Sequence, residues 1–173
     1  MQRFIVSITQ ENFELIEDKY VGCFIVPDKS DFGFIKNFVQ KAKAAEKLVL
    51  ISGESAADIM IKTGADGFVA DTAADEHPNR IVKSARTNFP KAVIGAICRN
   101  RRHEAMLVSE CEPDFVIFRV WKDGAAKTAE LLSWYNELFL IQSAIMPMDN
   151  DMDTKSFEAD FVVVDDVKYK KII

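Results

Sequence analysis

Eight short apolar runs recur along the chain, at Arg3–Ile8, Gly22–Pro27, Lys47–Ser52, Gly67–Asp71, Ala92–Cys98, Phe115–Val120, Leu138–Ser143 and Asp160–Asp165. They are near-continuous and not alternating, which predicts strands buried on both faces, as in a parallel sheet. The intervals carry a helical period. Phe34, Ile35, Phe38, Val39 and Ala42 fall on one face behind Ser30, a predicted N-cap. Ile81, Val82, Ala85 and Phe89 form a second stripe, and Leu131, Leu132, Tyr135 and Leu138 a third. Gly64 suits the left-handed residue that ends a helix over Ala56–Thr63. The stretch Asn100–Glu112 is helical by composition, with Asn100 as its candidate N-cap.

The spacing of these units is regular. Ala65-Asp66-Gly67-Phe68-Val69, Pro113-Asp114-Phe115-Val116-Ile117 and Ala159-Asp160-Phe161-Val162-Val163 share one pattern: a small residue or proline, an aspartate, then an aromatic-led strand. The aspartates lie 48 and 46 residues apart, and the same interval counted back from Asp66 reaches Tyr20. The other strands begin near 3, 47, 92 and 138. Four strand–helix–strand–helix units in series predict an α/β fold with right-handed crossovers. Eight such strands point to a single (β/α)8 barrel domain over residues 1–173, with an open doubly wound sheet as the competing arrangement. Ser7-Ile8-Thr9-Gln10-Glu11 holds no glycine-rich fingerprint, so a Rossmann site has no support.

Size makes this barrel minimal. The chain has 173 residues, against roughly 250 in a typical barrel of this type. Only Val167–Ile173 follow the eighth strand, and the helix after the seventh must fit within Asp153–Ala159. The final helices are thus expected to be short or missing. The flank around strands seven, eight and one is expected to be covered by a second copy, making a homodimer.

Charge and composition narrow the function classes. A net charge of −5 argues against nucleic acid as a partner. The apolar runs are too short for a membrane span or a signal peptide, which predicts a cytoplasmic protein without a membrane partner. Cys23, Cys98 and Cys111 lie far apart and read as free thiols, and His77 and His103 stand at no metal-ligand spacing.

The segment Lys47–Val120 resembles thiamine phosphate synthase and its relatives, including a regulatory homologue that acts as a thiazole tautomerase. The resemblance is carried by Leu48-Val49-Leu50-Ile51-Ser52, Ile61-Lys62-Thr63-Gly64-Ala65-Asp66-Gly67-Phe68-Val69, Val93-Ile94-Gly95-Ala96-Ile97-Cys98 and Pro113-Asp114-Phe115-Val116-Ile117-Phe118. It implies a pocket at the strand C-termini where a hydroxymethylpyrimidine pyrophosphate is joined to a thiazole phosphate, with Mg²⁺ on the pyrophosphate. It further implies substrate contacts at Lys29, Ser52, Gln142 and Ser143, and metal contacts at Glu54, Asp71 and Asp75. The chain departs from the family pattern at several of these places. Ser52-Gly53-Glu54 replaces an Asn-Asp pair, the second metal aspartate falls on Ala74, and Gln142-Ser143-Ala144 replaces a phosphate-binding glycine pair. Asp165 and Asp166 stand where a phosphate would lie and would repel it.

The predicted rim also gathers Arg99, Arg101, Arg102, Arg119 and Lys122. One reading makes Arg99 and Arg119 the heart of a site for a small anionic or phosphorylated ligand. The other has the rim charges pair with Asp71, Asp165 and Asp166 and fill an unused mouth. Cys98 lacks an activating histidine in the sequence. Trp121 suits stacking on a ligand or a lid or dimer contact, and Met146–Asp153 reads as a loop over the pocket. Two functions follow: an enzyme of the resembled family with its metal and phosphate motifs degraded, or a non-catalytic small-molecule-binding or regulatory homologue.

Overall fold

A computed structural model describes residues 3–173. In chain order its elements are β1 (Arg3–Ser7), β2 (Val21–Pro27), α1 (Phe32–Ala44), β3 (Leu48–Ser52), α2 (Ala56–Thr63), β4 (Gly67–Asp71) and α3 (Pro78–Asn88). There follow β5 (Val93–Cys98), α4 (Arg102–Ser109), β6 (Phe115–Val120), α5 (Ala125–Leu138), β7 (Gln142–Pro147), β8 (Phe161–Asp165) and α6 (Asp166–Ile172). The eight strands close into a barrel in sequence order, which is the predicted fold class. Among the described residues no helix stands between β1 and β2 or between β7 and β8. Contacts divide the described chain into two compact units, residues 3–69 with 163–173, and residues 70–162.

The repeating aspartate has a physical role in each unit. Asp66 accepts the Val49 N–H at 2.8 Å, Asp114 the Ile94 N–H at 2.7 Å and Asp160 the Ser143 N–H at 2.8 Å. Each carboxylate thus sits just before an even strand and caps the start of the preceding odd strand. For two of them the bond is returned, from Asp66 N–H to Val49 O and from Asp114 N–H to Ile94 O. Val49, Ile94 and Ser143 are fully buried, so no water can substitute for the carboxylate. Tyr20, the fourth position by spacing, is exposed and makes no such cap. There the Lys47 ammonium donates to the Asp18 and Val21 carbonyls at 2.7 and 2.6 Å.

In the unit of residues 3–69 and 163–173, Phe24 meets Phe38 edge-on with ring centroids 5.3 Å apart, and Phe38 also contacts Phe34. Tyr169 of α6 is fully buried against Phe4, with centroids 5.4 Å apart. The two turns of α6 therefore cover β1, and that flank is less bare than the tail's length predicts. The N-cap of α1 is Asp31, one residue after the predicted Ser30, because its carboxylate reaches the Phe34 N–H at 3.0 Å. Gly64 is left-handed at φ 74° and ends α2 as expected.

In the unit of residues 70–162, β6 pairs in parallel with β5 and β7. Phe118 packs edge-on against Tyr135 of α5, so Phe115, Ile117 and Arg119 point to the opposite, inner face. The Phe115 ring lies against Gly95 of β5. A Cβ at Gly95 would stand 2.5 Å from that ring, so the glycine is required by close approach.

Strand seven departs from its predicted position. The apolar letters Leu138-Phe139-Leu140 end a helix instead, because Phe139 folds back to stack on Tyr135 at 4.8 Å between centroids. The strand is Gln142–Pro147, with Gln142 in register with Phe115. Gln142 and Ser143 therefore begin the strand and lie at the end opposite the mouth. Leu138 does not join the buried face of α5, being 62% exposed.

Removing any one carboxylate by Asp66→Ala, Asp114→Ala or Asp160→Ala orphans a buried amide. Each is expected to cost about 1–3 kcal/mol in urea-unfolding free energy. Alkali is a second probe. Burial pushes the Cys23 and Cys98 thiols up to about 12 from 9.0, and the Tyr135 and Tyr169 phenols up to about 12 from 10.0. Their neutral forms are favoured in the fold, so this stabilisation is complete below the ordinary thiol value and is lost as pH rises towards about 12. The urea midpoint is expected to be flat up to about pH 8.5 and to fall steadily above it.

Candidate ligand site at the strand C-termini

The unit of residues 70–162 places Asp71 at the end of β4, Arg99 just beyond β5 and Arg119 near the end of β6. Arg119 reaches Asp71 with a 2.6 Å bond from its terminal nitrogen to Oδ2. Asn100 braces the strand carrying Arg119. Its side-chain amide donates to the Arg119 carbonyl at 2.7 Å and to Thr128 Oγ1 at 3.3 Å. Asn100 is thus a brace, not the predicted N-cap; Arg101 occupies that position.

The other charges of this rim are also engaged. Arg99 donates through Nε to the Ala73 carbonyl and stands 3.5 Å from Glu104. Asp71 additionally accepts the Ala73 N–H at 3.0 Å, and Asp75 accepts the His77 N–H at 2.6 Å. Arg101 lies 3.8 Å from Glu104, and Arg102 stacks over the Trp134 ring. The Lys122 backbone N–H is held by Asp149 at 2.6 Å, which ties the β6 exit to the loop after β7. Met146 and Pro147, expected in that loop, belong to β7. Beside the loop is a cavity of about 310 Å³, lined by Lys122, Ala125, Ala129, Met152 and Phe157 among others. Trp121 is exposed.

Ser143 and Gln142 are not part of this rim. Ser143 is fully buried, and its hydroxyl donates to Asn136 at 2.9 Å. The residue joins helix to strand. The shift of β7 places both residues at the start of the strand, away from the mouth at which contact was expected.

The unit of residues 3–69 and 163–173 carries Lys29, Ser52 and Glu54. Lys29 and Glu54 are exposed, and the Ser52 carbonyl accepts the Asp28 N–H at 2.8 Å. Asp28 organises this corner. Its carboxylate accepts the Ser55 N–H at 2.8 Å and packs against Gly53, whose φ of +113° excludes a side chain. Asp166 is buried and accepts the backbone N–H groups of Thr9 and Gln10 at 3.2 and 3.0 Å, together with the Thr9 hydroxyl. This carboxylate fills a nest of donors as a bound anion would. Asp165 caps α6 through the Lys168 N–H at 2.7 Å.

Three placements escaped sequence reasoning: the Asp28 corner, the Asn100 brace and the internal role of Asp166. Gly53 after a strand was the available signal for the first. Nothing in the sequence marked the other two.

The chemistry open to these groups is restricted. Burial keeps the Cys98 thiol neutral, and Glu104 raises it further, so it is no ready nucleophile. Among the described residues no three His, Cys, Asp or Glu side chains gather as a metal-ligand set. Asp71 and Asp75, which the resemblance assigns to magnesium, accept hydrogen bonds within the chain, Asp71 from Arg119 and Ala73 and Asp75 from His77. No helix among the described residues is long and apolar enough to cross a membrane.

No family model matches the chain, and no curated protein matches it. Solved structures do. The YdjI aldolase from Escherichia coli K12 superposes with a TM-score of 0.74 at 12% identity, over 95% of this chain and 74% of that one. An HpcH/HpaI aldolase from Desulfitobacterium hafniense gives 0.68 at 14% identity, over 99% and 89%. A glycerol uptake operon antiterminator regulatory protein from Listeria monocytogenes gives 0.62 at 13% identity, over 95% and 92%. These neighbours overturn the resemblance to thiamine phosphate synthase. Its motifs describe strand–helix units, which specify the barrel scaffold and not its chemistry. The chain has the TIM-barrel fold that such aldolases and lyases share.

Proposed function

We propose that this barrel is a small-molecule-binding or regulatory protein that holds a small organic anion at Arg119 without transforming it. The fold leaves both options open, since it serves aldolases and an antiterminator regulatory protein alike. The side chains favour binding. The observation that carries the reading is the Arg119–Asp71 pair, an inner-face guanidinium held by a half-exposed carboxylate of the chain.

Arg119 keeps 25% of its side chain exposed and Asp71 49%. A pair this open contributes only about 0–1 kcal/mol. An incoming carboxylate or phosphate can therefore take the place of Asp71 at little cost, and the planar guanidinium suits a two-point contact. Turnover needs an activated proton, nucleophile or electrophile in reach of the bound anion. The neutral Cys98 thiol supplies none.

The test is calorimetry and thermal shift with inorganic phosphate, pyruvate and citrate on the wild type, Arg119→Ala and Asp71→Asn. At least one anion is expected to raise the melting temperature of the wild type, Arg119→Ala to abolish the shift, and Asp71→Asn to tighten binding several-fold. NMR of the bound compound over hours is expected to show it unchanged. Failure of every anion to bind overturns the site. Conversion faster than roughly 0.01 per second overturns the non-catalytic reading.

A further inference from the structure

Adjoining faces of α4 and α5 present apolar side chains that the fold does not use. On α4, Arg102, Met106 and Glu110 follow one another at four-residue spacing, so they share one face. All three are exposed, and Glu110 continues the helical backbone at φ −61° and ψ −21°. On α5, Glu130, Trp134 and Leu138 repeat that spacing. The two faces meet where the Arg102 guanidinium lies 5.1 Å over the Trp134 ring. Trp134 in turn contacts Phe139, and Leu138 and Leu140 flank that ring along the chain. Leu140 is 105% exposed and Met106 41%.

The order of charges on α4 identifies the occupant. Arg102 and Glu110 are of opposite sign and stand equally far, about 6 Å along the helix, on either side of Met106. Turned through 180° about an axis at Met106, a second α4 lies antiparallel to the first. Arg102 of each copy then faces Glu110 of the other, and Met106 meets Met106. A surface that is complementary to its own rotated image is what a two-fold dimer requires. We propose that the α4–α5 face binds a second copy of this chain, with the two-fold axis passing beside Met106. The α5 residues Trp134, Leu138 and Leu140 extend the apolar centre, and the Arg102–Glu110 pairs set the register. This replaces the β7–β8–β1 flank, where Tyr169 already covers β1.

Sedimentation equilibrium of the full chain tests this with four variants: Met106→Asp, Arg102→Glu, Glu110→Arg and the double exchange Arg102→Glu/Glu110→Arg. The wild type is expected at twice the 19.5 kDa of the chain. Each single reversal places like charges opposite one another, and Met106→Asp places two carboxylates on the axis; each is expected to weaken the dimer by about tenfold or more. The double exchange restores opposite signs and is expected to recover most of the loss. Circular dichroism establishes that each variant is folded, and the rescue separates pairing from damage to the helix. A wild type that stays monomeric at about 100 μM overturns the proposal. So does a dimer that withstands Met106→Asp and both reversals, or a double exchange no better than the singles.

Discussion

A buried backbone N–H must find an acceptor, and at the start of an odd strand the neighbouring strand does not always supply one. Asp66, Asp114 and Asp160 meet that need at Val49, Ile94 and Ser143. Each carboxylate joins the loop that enters one strand to the strand before it in sequence. The clamp thus sets where two strands begin relative to each other, and register follows from it. In a parallel barrel that register decides which side chains face inward and which meet the helices. Phe115 against Gly95 and Phe118 against Tyr135 are two consequences in the unit of residues 70–162.

The clamps stand at the N-terminal ends of the strands, the end associated in this fold with stability. The C-terminal ends carry the remaining charge, and there the pairings are of another kind. Arg119 and Asp71 keep part of their surface in solvent, whereas Glu104, the partner of Arg99, is largely buried. Asp166, by contrast, is buried and serves as an internal anion for Thr9 and Gln10. One corner is therefore already filled by the chain's own carboxylate, while at the other Arg119 pairs with a half-exposed Asp71.

The fold was legible because its signals are periodic. Apolar runs, helical stripes and the spacing of Asp66, Asp114 and Asp160 each reported a repeating physical requirement, and seven of the eight strands lie within a residue of their predicted bounds at both ends. Strand seven was misplaced because Leu138, Phe139 and Leu140 are apolar for a different reason: one folds back on Tyr135 and two face solvent. That error carried Gln142 and Ser143 to the wrong end of the barrel. The site was less legible. The rim position of Arg119 was legible, and its pairing with Asp71 was one of two alternatives, but the brace from Asn100 and the nest around Asp166 depend on contacts between residues 19 and about 157 positions apart. No local pattern encodes those. The family resemblance failed for a related reason, since its motifs describe strand–helix units and not the groups above them.

Native-state hydrogen exchange followed by NMR tests most directly the claim that the carboxylate clamps hold the barrel together. The account predicts that the Val49, Ile94 and Ser143 amides exchange only through global unfolding. The Ala73, His77 and Lys122 amides, held by carboxylates on the exposed rim, are predicted to exchange through local opening at much lower free energy. Clamp amides that exchange as fast as those of the rim would contradict it.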